Sequence, residues 1–226
     1  RPTVVASHDM HRLPVVRDRG ASFSYACHGC GHCCHHKAIR VDPYAVARLA
    51  DALGVSTTAV LRDYVDAATS TLRQSDGGAC VFFDGGCSVH SGRPLPCRLY
   101  PLGWGGKPNG DESFYELSAH PQSAGVYGTD GTVADYLASQ GTASYERASW
   151  RYAEVLRRLQ LAADADGPDP GAPPSITDVD EAVRHHCEQR GEPIPDDVEA
   201  RVDLHLALLH AWLDAAGAPA GGCTPG

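Results

Sequence analysis

The chain of 226 residues carries 28 acidic against 19 basic side chains, a formal net charge of -9 with histidine neutral. That length supports one well-buried core or two small ones, and the acidic balance without any basic run disfavours nucleic-acid phosphates or an anionic membrane surface as partners. No apolar stretch approaches the roughly 20 residues that span a bilayer, residues 1–19 lack a signal-peptide apolar core, and nine cysteines, an odd number, fit free thiolates in a reducing, cytoplasmic setting.

Residues 1–22 show no sustained periodicity and are expected to form an arm leading into Ser22-Phe23-Ser24-Tyr25-Ala26, a short alternating stretch that reads as a strand. Directly after it comes Cys27-His28-Gly29-Cys30-Gly31-His32-Cys33-Cys34, four thiols in eight residues. Thiols this dense in a chain without a secretory signal read as metal ligands. Gly29 and Gly31 allow the tight turns that let Cys27, Cys30 and Cys33 converge on one centre. Adjacent cysteines hardly chelate one small ion together, so Cys34 is expected to serve a second metal or to bridge two. His28, His32, His35 and His36 interleave with these thiols and read as solvated loop histidines ahead of ligands.

Asp42-Pro43 reads as an N-cap with proline at the first helical position, followed by Val46, Leu49, Ala50 and Leu53 at helical spacing before Gly54. Ser56 caps a second short helix. Val81-Phe82-Phe83 and Cys87-Ser88-Val89 flank Asp84-Gly85-Gly86 as a tight hairpin that would bring Cys80 and Cys87 together. Pro94 and Pro96 stiffen the turn that presents Cys97. Residues 103–110 read as a loop and Phe114-Tyr115-Glu116-Leu117 as a strand.

From Thr132 onward the pattern is helical, with helices over 133–140 and from Tyr145 to Leu159, a Pro/Gly linker at 164–174, and an antiparallel helical hairpin formed by 177–190 and 196–216. Cys187 reads as a small buried hydrophobe, Cys223 as part of a Gly/Pro tail, and His186 and His205 as core histidines. All four stay outside the site. The expected fold class is α+β, mostly helical: an N-terminal arm (1–22), a small cysteine-rich metal module with a short hairpin (23–125), and C-terminal helices (126–226) packed with it.

Cys27, Cys30, Cys33, Cys34, Cys80, Cys87 and Cys97 make one constellation of candidate metal ligands. Zinc sites usually offer C-x2-C in two separated pairs, whereas C-x2-C-x2-C with remote cysteines resembles the wrapping of an iron-sulfur cluster, which favours iron. Seven thiolates can serve one 4Fe-4S cluster with ligands to spare or a multinuclear iron site with an open position. The alternative is a closed zinc site that only holds the fold together.

The series Cys27, Cys30, Gly31, Cys33, Cys34, Cys80, Cys87, Ser88, Arg93, Pro94, Cys97, Arg98, Tyr100 and Pro101 resembles the YkgJ-type CxxCxxCC cysteine-cluster family of zinc- or iron-chelating proteins, over roughly residues 23–103. That family includes relatives of flagellin lysine N-methylases. The resemblance therefore implies an enzyme that modifies a protein or peptide side chain, with S-adenosylmethionine as a candidate donor. No G-x-G-x-x-G stands between a strand and a helix, so a Rossmann-type donor site is not visible. Two other classes stand beside it: a metal storage, delivery or sensing protein, and a zinc-built module that presents its C-terminal helices to a partner. Arg98 is a candidate to grip a substrate carboxylate and Tyr100 to donate a hydrogen bond or proton. Arg93 shares that reading, and for all three the alternative is packing and charge compensation around anionic thiolates. No residue pattern assigns a catalytic group or an oligomeric state.

Overall fold

The computed structural model describes residues 16–106, 112–117, 122–163 and 171–219. Two short strands come first, β1 (Val16–Arg17) and β2 (Ser22–Ala26), and the cysteine loop then leads into α1 (Pro43–Leu53). α1 begins where the Asp42 carboxylate accepts from the Ala45 amide, and it ends at Gly54, whose φ of 66° suits a residue without a Cβ. α2 (Thr57–Tyr64) follows under a Ser56 cap, and β3 (Val65–Asp66) pairs with β4 (Thr71–Leu72) just beyond it.

The short α3 (Leu95–Leu99) precedes β5 (Leu102–Gly106), β6 (Glu112–Glu116) and β7 (Val126–Thr132). Four helices complete the described chain: α4 (Val133–Gln140), α5 (Ala143–Ala163), α6 (Val179–Arg190) and α7 (Val198–Ala215). α4 opens on a reciprocal capping box between Thr132 and Asp135, and Asp178 and Asp197 cap α6 and α7. The protein is α+β and mostly helical, with small antiparallel strand sets β1-β6-β5, β2-β7 and β3-β4. No described helix is long and apolar enough to cross a membrane.

Several expectations change at this level. Val16–Arg17, within the expected arm, pair with β6; residues 1–15 lie outside the described part, as do 107–110 of the expected loop, 164–170 of the linker, and Cys223. Residues 103–106 are strand β5, not loop, because they pair antiparallel with Glu112–Tyr115 of β6, and Gly103 leaves room for the Tyr115 ring, which any side chain would strike. The expected hairpin at 81–89 is reduced to a single bridge between Phe83 and Cys87, with Gly85 at φ 64° in the turn. Phe82 turns into the smaller core while its neighbour Val81 faces solvent, and no strand pair extends from the bridge. β7, which the helical reading overlooked, is exposed along almost its whole length and so carries no alternating apolar signal.

Two apolar clusters fill the interior. The larger gathers Phe23, Leu99, Leu102 and Phe114 with Leu137, Val155, Val183 and Leu209. It gathers residues from β2, α3, β5 and β6 together with residues of α4 to α7, and β2-β7 pairing joins the same two stretches of chain. The smaller cluster contains Val46, Leu49, Val60, Leu72, Phe82 and Val89, with Cys80 and Cys87 packed on its edge. α1 serves both, through Tyr44 and Ala47 on one face and Val46, Leu49 and Ala50 on the other. A second tie joins the α2 and α6 starts: Thr57 donates its hydroxyl to Asp178 (2.5 Å) and accepts the Asp180 amide (2.9 Å).

Candidate metal centre

Gly31 lets the cysteine loop turn. Its φ of 75° is left-handed, and an added Cβ would strike the Phe83 ring. The Cys34 amide donates back to the Gly31 carbonyl at 2.8 Å, closing a tight turn over His32–Cys34. Two backbone bonds of 2.8 Å, from the Cys80 amide to the Cys34 carbonyl and from the His36 amide to the Gly78 carbonyl, clip this turn to the segment before Cys80. His35 lies edge-on to Phe83 at 4.6 Å, and Phe83 bridges to Cys87. Cys97 enters from α3, which begins immediately after Pro94.

These ties bring Cys33, Cys34, Cys80, Cys87 and Cys97, all half-buried, into one electrostatic neighbourhood. The Cys34 thiol donates to Cys33, which favours the Cys33 thiolate and pulls its pKa down to about 6, with Arg93 and Lys37 assisting. The same bond, then burial, holds the proton on Cys34. Burial raises Cys80, and burial with Cys80 and Cys87 nearby pushes Cys97 up to about 12. Cys27 and Cys30 are instead exposed. Cys30 is drawn toward its thiolate by the Ala124 amide at 3.5 Å, and the Gly29 amide points at Cys27 at the same distance.

Among the described residues, no three or more histidine, cysteine, aspartate or glutamate side chains are gathered closely enough to hold a metal ion as they stand. In chemical type the donors suit a thiophilic metal: Cys33 and Cys34 are in contact, Cys80, Cys87 and Cys97 are near enough to act on them electrostatically, and none of the five is tied up in a disulfide. Arg93 supplies positive charge. It acts on Cys33 and Cys97, donates to Gln140 at 2.5 Å, and keeps a buried Nε without a hydrogen-bond partner.

Residues 26–120 match the family model CxxCxxCC, a zinc- or iron-chelating domain. Across this segment the chain is similar to the CxxCxxCC family. Comparison with curated proteins and with solved structures finds no match. All seven candidate cysteines lie within the matched segment, as do Arg93, Arg98 and Tyr100.

Two of those residues are engaged in the fold of this segment. Arg98 donates to the carbonyls of Arg93 (3.0 Å), Gln140 (2.8 Å) and Ser91 (2.5 Å), and its guanidinium stacks 4.4 Å from the Tyr145 ring centroid. That geometry matches the packing alternative, because a guanidinium spent on backbone carbonyls has little left for a substrate carboxylate. Tyr100 accepts the Tyr136 hydroxyl at its carbonyl (2.5 Å) and stands edge-on to Tyr25, which in turn packs on Tyr127. The result is a tyrosine wall beside the exposed end of the cysteine loop. Tyr127, Tyr136 and the Ala124 amide were not singled out from sequence, since only β2-β7 pairing carries residues 124–127 to the loop.

Two outcomes follow from this geometry. Gly31→Ala is expected to destabilise the metal-free protein by about 1–2 kcal/mol through the left-handed backbone alone, and to weaken metal binding with it; chemical denaturation and a metal competition titration measure both. Metal affinity is expected to rise with pH between about 6 and 8, because Cys34 and Cys97 are held as thiols and must release protons to ligate. In the metal-free protein the Cys97 shift has the opposite sense. Its stabilisation is complete below the ordinary thiol range near 9 and is lost as pH rises toward about 12, which alkaline denaturation midpoints would record.

Proposed function

We propose that the CxxCxxCC segment chelates iron through its thiolates and keeps one edge of the metal site open to solvent, as a metal delivery or sensing protein would. The observation that carries this reading is the split among its cysteines. Cys33, Cys34, Cys80, Cys87 and Cys97 are half-buried and act on one another electrostatically, while Cys27 and Cys30 remain exposed in the same loop. A purely structural site closes its shell with buried protein ligands, whereas a working one leaves a position accessible. The C-x2-C-x2-C spacing with remote cysteines favours iron over zinc, as iron or an iron-sulfur cluster. Side-chain modification with S-adenosylmethionine has no support from the two described cavities, since neither is lined by a cysteine, Arg98 or Tyr100.

Protein purified without oxygen is expected to be brown and to contain iron, together with sulfide where a cluster forms. Metal analysis with Mössbauer spectroscopy reads the metal and its nuclearity, and transfer to a competing apo-protein tests delivery. Colourless protein with stoichiometric zinc, inert to that acceptor, would return the site to a structural role.

A further inference from the structure

Helix α3 has two faces with different surroundings. Cys97 lies among the thiols, while Leu95 and Leu99 line a cavity of about 680 Å³ on the far side. Leu102, Val155, Leu156 and Ile176 continue the apolar wall, with Leu156 left 53% exposed. Size and lining are those of a small-molecule site, apolar with a few polar groups to orient the ligand.

The polar groups on this wall divide into satisfied and free. Asp42 spends one carboxylate oxygen on the Ala45 amide (2.7 Å) and the other on the Ser149 hydroxyl (2.6 Å). Tyr152 directs its hydroxyl to His205 in the core at 2.9 Å, and the Trp104 indole donates to Glu112 at 3.4 Å. Arg40 and the Ser70 hydroxyl line the same cavity without a side-chain partner among the described residues. Ser70 is also held at a φ of 53°, its amide donating to Asp66 and its carbonyl accepting the Val41 amide. The Tyr115 and Thr177 hydroxyls line the cavity too, so the free polar groups are hydroxyls, which can donate or accept, and a single group that only donates. That group is the Arg40 guanidinium, and the only carboxylate on the wall, Asp42, keeps its charge but has both oxygens turned to Ala45 and Ser149.

We infer that this cavity binds an aliphatic monocarboxylate, its chain along the leucine wall and its head group on Arg40 and Ser70. A guanidinium pairs with a carboxylate in two parallel hydrogen bonds, stronger than neutral ones. An amine of the same length meets like charge, and an alcohol leaves the guanidinium without its counter-ion. The site uses no cysteine, so it stands or falls separately from the metal assignment.

The test is calorimetric titration of the full metal-free chain with decanoate, decylamine and decanol, with tryptophan emission, to which Trp104 on the cavity wall contributes, as a second readout. Decanoate is expected to bind saturably at one site per chain, and decylamine and decanol at least about tenfold more weakly. Arg40→Glu, at an exposed position with no partner to lose, should keep the circular dichroism of the parent and weaken decanoate binding by about tenfold or more. The proposal is overturned if decanoate does not saturate the parent protein, if decylamine binds equally well, or if Arg40→Glu leaves decanoate affinity unchanged.

Discussion

Cys97→Ala is expected to strip the metal from the protein and to lower its thermal midpoint to that of the chelator-treated parent. Cys97 comes from α3, far along the chain from the Cys27–Cys34 loop, and a metal held by both would bridge them. Binding free energy at a thiolate site is folding free energy, of the order of 10–16 kcal/mol for small zinc-dependent peptides. Here the two apolar clusters retain part of the fold without metal, so the loss should appear as a lower midpoint with the helical signal preserved. Cys187→Ala is the control. Its thiol is 2% exposed within the larger core, and the change should cost about 1 kcal/mol while leaving metal content intact. Equal metal loading in parent and Cys97→Ala protein would remove Cys97 from the site.

The second large effect concerns Arg98→Ala, which is expected to destabilise the metal-free protein by about 2–3 kcal/mol. The guanidinium holds three backbone carbonyls from Ser91, Arg93 and Gln140, and thereby joins the turn before α3 to the end of α4. Truncation leaves those acceptors short of donors and removes the cation–π contact with Tyr145. Arg98→Lys should recover only part of the loss, since an ammonium cannot reach three carbonyls in a planar fork. Because Cys97 precedes Arg98 directly, metal loading is expected to weaken in the same variant. An unchanged denaturation midpoint in Arg98→Ala would free the side chain for the substrate role that the resemblance suggested.

What the sequence determined by itself is local. Asp42-Pro43 and Gly54 bound α1, Ser56 starts α2, and helical spacing placed α4 through α7 and buried Cys187, because caps and side-chain periods act within a few consecutive residues. The cysteine spacing likewise pointed to the zinc- or iron-chelating family that residues 26–120 match, since it is a local pattern of neighbouring thiols. Tertiary structure decided the rest. It set Cys33 and Cys34 among Cys80, Cys87 and Cys97 while leaving Cys27 and Cys30 at the surface, and it committed Arg98 to carbonyls up to 42 residues away. It also paired β2 with a β7 that has no apolar alternation, and opened the cavity behind α3. Contacts across such separations follow from how the two apolar clusters pack around α1, and no short-range pattern records which polar groups that packing will satisfy and which it will leave free.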